Sequence, residues 1–510
     1  MENSESTTPS VISIGCGSAH SAALISCGVV ASWGKGEDGQ LGHGDANEIS
    51  EPKAIFSLID AGVRAVVCGA EFTVAVAPDK IYSWGWGDFG RLGHGNSLDQ
   101  FLPKEIAFFV GKKVDQVACG DTHTLVLVQG GELYSFGRNQ NGQLGVGHAN
   151  DCLSPHCVEA LREETVCGIA CGSEHSVAST SAGQPVVLST QLPLPALVSC
   201  LYQRWSGEET VCSIACGSEH SVASTSAGQV WAWGWGRYGN LGDGNREDRL
   251  VPVRTLGLDG VHISQVACGW RHSMAVDKEG RMYTFGWSKY GQLGHGDLEY
   301  QLKPKIVEPL SALRVETIAG GWRHSMAAAS DGKLYGWGWN KFGQLGVGDG
   351  DDRCTPSIVP LPSSEPESAL PALTNTGCIT SISAVRLLAC GWRHTMVAMN
   401  DGRVYSWGRG VNGQLGHGEE QDIFKPRLLR TLCQGVVSRS ALLSTTSSTC
   451  GTGGENGVVP EVADRYAVVP DGGTEGEEAE GDYSHEVPYY DPDDAPATTD
   501  SNSKRPRVHM

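Results

Sequence analysis

Two recurrent residue groupings in this 510-residue chain are of types that do chemistry. The first is Cys-Gly-x-x-His, beginning at Cys16, Cys119, Cys171, Cys216, Cys268 and Cys390. Zinc uses these ligand types but needs about four of them converging, usually as closely spaced pairs. Here each Cys-His pair belongs to a different repeat, and Phe72 and Gly320 replace the His and the Cys in two others. The grouping therefore reads as packing, with small thiols and hydrogen-bonded imidazoles between repeats, and no metal or other cofactor is expected. Nucleophilic catalysis is not signalled, because no Gly-x-Ser-x-Gly elbow follows a strand. The glycine-rich loops lack the Lys-Ser/Thr of a phosphate-binding loop. Nothing in the chain calls for an enzyme.

The second grouping is Gly-Trp-Arg-His, which carries Trp270-Arg271, Trp322-Arg323 and Trp392-Arg393 where other repeats have Gly-Ser-Glu-His or Gly-Asp-Thr-His. A guanidinium over an indole face gains roughly 0.5–2 kcal/mol, more when water is excluded. Trp and Arg are also the residues enriched at interface hot spots. Trp33, Trp231 and Trp407 are expected to fill cores between repeats. Further tryptophans, Trp84, Trp86, Trp233, Trp235, Trp287, Trp337 and Trp339, stand in or just after a later strand of their repeats. Carboxylates flank the early glycine loops: Glu37 and Asp38 the first, Asp88 and Asp99 the second. An arginine arc on late repeats and an acidic arc on early ones are self-complementary under a two-fold axis. Exposed ion pairs are each worth about 0–1 kcal/mol, but several desolvated Arg forks together can hold a dimer.

The elements that position these groups follow from internal repetition. Gly-x-Leu-Gly-x-Gly begins at Gly39, Gly90, Gly142, Gly239, Gly291, Gly343 and Gly413, with spacings of 51, 52, 97, 52, 52 and 70. The underlying period is near 52, with two insertions. Each unit reads as short strands; Asp331-Gly332, Asp401-Gly402, Glu279-Gly280 and Ala227-Gly228 mark a tight hairpin at one fixed place. Seven such units predict an all-β, seven-bladed β-propeller over residues 11–432. Residues 164–184 match 209–229 except for Gly168 against Ser213. Seven glycine loops leave room for seven blades, so one copy of the duplicated segment, about 165–209, is expected to be surplus to the ring. The insertion at about 361–378 reads as a surface loop.

Composition narrows the class. Gly reaches 68 of 510 residues with only 23 Pro, which indicates many turns and excludes collagen. The formal charge is −20, and residues 452–500 hold 14 acidic side chains against one basic, Arg465. A net-acidic body argues against nucleic acid as the main ligand. Residues 1–10 read as a flexible start without a signal peptide, and residues 433–510 as a disordered acidic tail. No long apolar run predicts a membrane span. The 17 cysteines then read as reduced, in the cytoplasm or nucleus. Lys504-Arg-Pro-Arg507 is a short basic signal of the nuclear-import type.

The repeats resemble the regulator-of-chromosome-condensation family of seven-bladed propellers, and most specifically its plant ultraviolet-B photoreceptors. The resemblance rests on Ser83-Trp-Gly-Trp-Gly-Asp-Phe-Gly-Arg-Leu-Gly-His-Gly-Asn96, on Phe285-Gly-Trp-Ser-Lys-Tyr-Gly291, on Leu334-Tyr-Gly-Trp-Gly-Trp-Asn-Lys-Phe-Gly343, and on the three Gly-Trp-Arg-His motifs. It implies a receptor without added chromophore, in which Trp322 is the principal sensor, Trp270 the next, and Trp392 completes a coupled group. Trp86 would join from the opposite subunit. It further implies a dark homodimer in which Arg271, Arg323 and Arg393 bind Asp88, Asp99, Glu37 and Asp38, with Arg138 and Glu219 as another cross-subunit pair. Ultraviolet-B light would separate the dimer into active monomers that accumulate in the nucleus. Asp464-Arg-Tyr-Ala-Val-Val-Pro-Asp471 is similar to the family's Val-Pro motif, which docks on the propeller of a ubiquitin ligase. Arg465, Tyr466, Val469 and Pro470 would make that contact. Phe136 departs from the pattern, which has tryptophan there. No membrane or small-molecule substrate is implied. The rival readings are a scaffold propeller and a nucleotide-exchange factor for a small nuclear GTPase. The latter binds chromatin through a basic arm, and residues 1–34 contain no Lys or Arg.

Overall fold

A computed structural model describes residues 10–181, 185–188, 210–362 and 385–433, the second of these by backbone alone. The expected all-β propeller is present, with seven four-stranded antiparallel sheets. Blade 1 spans 11–54, blade 2 65–105, blade 3 114–157, blade 4 211–254, blade 5 263–306, blade 6 315–359 and blade 7 385–428. In blade 6 the strands are Val315–Gly320, His324–Ala329, Leu334–Gly338 and Arg353–Val359. The second and third strands are buried along their whole length, while the fourth alternates with solvent. Short runs of small residues and aromatics, His-Ser-Met-Ala-Ala-Ala and Leu-Tyr-Gly-Trp-Gly, suit this pleated, doubly covered position. Gly332 closes the hairpin between strands two and three at φ 77°, a backbone region that side chains disfavour. The cores lie between blades: Met274 and Met282 of blade 5 pack with Ile318, Ala327 and Trp337 of blade 6.

Adjacent blades are pinned by buried imidazoles. Nε2 of His272 hydrogen-bonds Ser325 of the next blade at 2.8 Å. The same bond joins His20 to Thr73, His220 to Ser273, His324 to Thr395 and His394 back to Ser21. The last of these closes the ring.

The duplicated copy corrects one expectation. It is not surplus to the ring: Val166–Cys171, Ser176–Thr180 and Pro185–Leu188 form a three-stranded sheet. This sheet sits between blades 3 and 4, with His123 bonded to Ser176 and His175 bonded to Ser221, each at 2.8 Å. It enters because it carries the same Cys-Gly-x-x-His-Ser element as a complete blade. What it lacks is a glycine loop. In complete blades that loop supplies a main-chain carbonyl to the next blade's buried indole. Trp33, Trp84, Trp337 and Trp407 donate at 2.9 Å to the carbonyls of Gln414, Gln40, Gln292 and Gln344. Trp233, next to the inserted sheet, is equally buried, yet its Nε1 finds no acceptor among the described residues.

Trp33 and Trp407 lie in inter-blade cores as expected, and Trp231 packs against the core of Val177, Ala223 and Trp233 while staying half-buried. Its place in the repeat is that of Tyr134, Tyr283, Tyr335 and Tyr405, further out along the strand than the core indole. The predicted surface loop lies mostly at residues outside the described set, as do residues 1–9 and 434–510.

Two predictions follow from these bonds. Burial pulls His20, His123, His220, His272 and His324 down to about 3, and His175 and His394 to about 4, so the folded ring holds them neutral. Below the ordinary value of ~6.5 the unfolded chain binds protons that the folded one refuses. Stability is complete above that pH and falls by about 1.4 kcal/mol per histidine per pH unit as acid is added. Asp38, Glu71 and Asp121, raised by burial, act in the opposite sense but are fewer. Urea titration should show much lower stability at about pH 5 than at about pH 7; equal stability would contradict a neutral buried ring. Secondly, Trp337→Phe should cost about 1–3 kcal/mol more than Trp233→Phe, since only the former strands a satisfied acceptor. Thermal melts of the two variants compare them directly.

Candidate functional site

The turn between the first two strands of each blade presents its variable dipeptide on one face of the ring. Glycine begins it because a Cβ at Gly321 would stand 2.1 Å from the His324 ring. The Gly321 N–H donates to the His324 carbonyl at 3.0 Å, and the imidazole is anchored in the neighbouring blade. The intervening Trp322-Arg323 is thereby held on a rigid base. Trp270 and Trp392 stand on the same turn in blades 5 and 7.

The loop after the third strand lies against this turn. N–H groups of Trp235, Trp287, Trp339 and Arg409 donate to the carbonyls of Glu219, Arg271, Arg323 and Arg393, at 2.9–3.1 Å. Two rows of side chains therefore interleave. Trp322 is the hub, with ring centroids 5.4 Å from Trp339, 5.6 Å from Trp270 and 6.4 Å from Trp392. Trp270 meets Trp287 edge-on at 5.5 Å. Tyr238 links Trp235 to Trp287 at 5.1 and 5.9 Å, and Tyr290 bridges Trp287 and Trp339 at 5.5 and 6.1 Å. Six indoles thus form one continuous cluster across blades 4 to 7.

The arginines are woven into it. The Arg323 guanidinium lies 3.9 Å from the Trp322 ring centre and 5.4 Å from that of Trp270, and it donates to the Tyr290 hydroxyl at 2.8 Å. Arg271 covers Trp270 at 3.8 Å and Trp235 at 4.7 Å. Arg393 reaches Trp322 at 5.0 Å. Arg271 and Arg323 are 8% and 6% exposed, so these contacts are made largely without water. Trp392 is the open end of the cluster, at 44%.

The early blades carry the opposite charge. Glu37 and Asp38 lie 3.2 and 3.8 Å from Lys35, and Asp99 accepts from the Gly87 N–H at 2.8 Å. Asp88 is exposed at its loop tip. Glu71 accepts from Ser18 and from Gln40, the latter at 2.9 Å, and burial raises its pKa. Trp86 lies on this side, 3.9 Å from the fully buried Arg91, and makes no ring contact with the six-indole cluster among the described residues. Phe136 occupies a buried core position and does not reach the cluster. Arg138 lies 3.9 Å from Glu174 of the inserted sheet, while Glu219 is one sector further round and exposed. Arg465, Tyr466, Val469 and Pro470 are outside the described residues.

Sequence reasoning brought the three Trp-Arg pairs together but not the full cluster. It missed Tyr238, Tyr290 and Phe342, although an aromatic residue precedes the first glycine of each of those loops. It also missed the loop tips Arg237, Lys289 and Lys341, which take the repeat position held by Glu37 and Asp88 in blades 1 and 2. The same position is acidic in blades 1 and 2, neutral in blades 3 and 7 (Gln140 and Val411) and basic in blades 4 to 6, so the face is polarised. Among the described residues no group of three or more His, Cys, Asp or Glu is placed to hold a metal ion.

Comparison with known proteins agrees with this architecture. Residues 190–453 match the RCC1-like domain, and 28–76, 79–127 and 130–179 match the regulator of chromosome condensation (RCC1) repeat. The chain is 43% identical to ultraviolet-B receptor UVR8 of Arabidopsis thaliana over 92% of its own length and 93% of that protein. It is 32% identical to human E3 ubiquitin-protein ligase HERC2 over 62% of the chain, but spans only 6% of that protein. Among solved structures, human WBSCR16 superposes with TM-score 0.55 at 22% identity, covering 79% of this chain and 93% of that one. Yeast RCC1 (Prp20) bound to Kap60 gives 0.54 at 21%, with coverage of 78% and 83%. These two speak to the fold alone.

Coupling between close indoles should appear as a paired positive and negative band in far-ultraviolet circular dichroism. Trp322→Phe is expected to remove most of it, because Trp322 joins the Trp270, Trp339 and Trp392 contacts. Trp33→Phe, in a separate core, should leave it intact; equal losses would mean the signal does not come from the cluster.

Proposed function

Since the chain belongs to the regulator-of-chromosome-condensation repeat family, and is a close homologue of an ultraviolet-B receptor, we propose that it is itself an ultraviolet-B receptor whose chromophore is its own tryptophan cluster. The observation that carries this reading is the unbroken ring contact from Trp235 to Trp392, with Arg271, Arg323 and Arg393 lying on or beside its members. Indole absorbs at the long-wavelength edge of the protein ultraviolet band, so a packed group of indoles senses such light unaided.

In the dark, two copies associate face to face, the arginine arc of one on the Glu37, Asp38, Asp88 and Asp99 arc of the other. Trp86, which makes no ring contact with the cluster of its own chain among the described residues, joins that of the partner in this reading. Excitation at Trp322 redistributes the ring charge that attracts Arg323 and Arg393, each contact being worth roughly 0.5–2 kcal/mol. Guanidinium groups no longer held on the ring lose their aim at the opposing carboxylates. Water then solvates the separated ions, and the dimer opens. The monomer presents the tail segment Arg465-Tyr-Ala-Val-Val-Pro470 to the propeller of a ubiquitin ligase. The receptor moves from cytoplasm to nucleus on illumination, aided by the basic Lys504-Arg-Pro-Arg507.

Size-exclusion chromatography in the dark and after an ultraviolet-B pulse tests the proposal. The wild-type chain should convert from dimer to monomer with quenched tryptophan fluorescence. Trp322→Phe should remain dimeric under light, and Arg323→Ala should be monomeric in the dark. A dimer indifferent to light would favour the scaffold reading instead.

A further inference from the structure

The sheet inserted between blades 3 and 4 has three strands where every complete blade has four, and no strand lies beyond Pro185–Leu188 among the described residues. A third strand left at the edge exposes a row of main-chain donors and acceptors, a template for any extended chain. The complete blades record what sits on that edge. Each of their fourth strands carries proline at its fourth residue, from Pro52 in blade 1 to Pro426 in blade 7. An outermost strand tolerates proline because one row of its N–H groups has no ladder partner. In all blades but the sixth a second mark follows. The residues three and six beyond the proline, such as Ile106 and Phe109, Val158 and Leu161, or Val307 and Leu310, are buried.

The stretch that joins Leu188 to Thr210 carries the same marks: Pro195, with Val198 three residues and Leu201 six residues beyond it. Strand register supplies an independent check. Ser176 pairs with Leu188 as Ser21 pairs with Trp33, so Val186 and Val187 take the register positions of Ala31 and Ser32, and Ser189 continues to that of Gly34. In blade 1 those three pair with Ala54, Lys53 and Ile49. Aligning Pro195 with Pro52 puts Leu197, Ala196 and Leu192 at the same three places. Val187 then stands opposite Ala196, and only Thr190 and Gln191 remain between the paired ends. Two residues are enough to join antiparallel strands. The other proline of the stretch, Pro193, would leave no residue for a turn. In complete blades the glycine loop, residues 35–48 in blade 1, fills that place. We propose that residues 192–197 are the fourth strand of the inserted sheet, seated on the outer edge of Pro185–Leu188. The ring is then eight-bladed, and the added blade differs from the others in having no face loop. Its edge is used within the chain and is not offered to a partner.

Hydrogen exchange of the full chain, read by mass spectrometry, tests this without altering the sequence. Amides of 192–197 should exchange at least about tenfold more slowly than in a synthetic peptide of residues 185–201, as those of Gln301–Ile306 should relative to their own peptide. Exchange at the peptide's rate, with 166–180 still protected, overturns the proposal. A pair of cysteines checks the register. Directly opposite residues of antiparallel strands have Cβ atoms about 5 Å apart, which a small adjustment brings within disulfide reach. In the full chain carrying Val187→Cys and Ala196→Cys, mild oxidation should join residues 187 and 196 of one molecule in preference to 187 and the native Cys200. A bond from 187 to Cys200 instead overturns the register. A bond between two molecules overturns the proposal and makes the edge a site for a second copy.

Discussion

The hydrogen bond from a buried imidazole to the hydroxyl of the next blade is the constraint on which the face of this protein depends. In every blade but the second, where Phe72 replaces the imidazole, it fixes the turn that carries the variable dipeptide, because glycine, imidazole and neighbouring hydroxyl leave that turn one geometry. Burial holds these imidazoles neutral, with His272 and His324 each at about 3, so the bond keeps one protonation state across the physiological range. A rigid base permits variation above it. Ser-Glu, Asp-Thr and Trp-Arg occupy the same two places in different blades, and a blade's identity on the face is decided by two residues.

Placing Trp-Arg at three successive turns has an energetic consequence. A nearly buried guanidinium would be costly if it met only apolar atoms. Arg271 and Arg323 instead lie on ring faces at 3.8 and 3.9 Å, and Arg323 also finds the Tyr290 hydroxyl. The interleaved loop tryptophans complete these cages, each side of a blade boundary contributing one wall. The charge is kept close to the face without being freely solvated there. On the opposite side of the ring, Glu71 solves the equivalent problem with hydroxyl and amide donors from blade 1.

Most of the architecture could be read from glycines because their positions leave no substitute. A Cβ on Gly42 would stand 2.7 Å from the Trp84 indole nitrogen, and the equivalent contact at Gly346 involves Trp407. Such close approaches recur in the loops of blades 1, 2, 4, 5, 6 and 7, each of which precedes a complete blade. The same reasoning failed for the duplicated copy, because a blade without its loop still keeps the strands and the His-Ser bond that ring closure needs. The orphaned Trp233 nitrogen records the difference. At the site, blade equivalence located Trp270, Trp322 and Trp392 as neighbours. It did not reveal that Trp235, Trp287 and Trp339 fill the gaps between them, since that depends on how the loop folds back on its own turn. Trp231, at the strand position usually held by tyrosine, packs against the core of Val177, Ala223 and Trp233 as expected but stays half-buried, nearer the outer edge of the blade.

The arrangement also suits a switch in which one photon must change an association of whole proteins. Trp322, like Trp270, is touched by two guanidinium groups, here at 3.9 and 5.0 Å, and it alone among the described indoles meets three others. In the proposed receptor absorption is spread over six rings, and its mechanical effect is greatest at the ring that joins most of the others and also carries two arginines. Loss of both contacts in both protomers of the proposed dimer amounts to about 2–8 kcal/mol at 0.5–2 kcal/mol apiece. Since about 1.4 kcal/mol is tenfold in affinity, a change of that size separates a dimer that individually weak surface ion pairs had held. Arginines paired only with carboxylates, with no indole beneath them, would offer light nothing to act on. In the proposed receptor the aromatic cage is the link between the absorbing group and the arginines on the face.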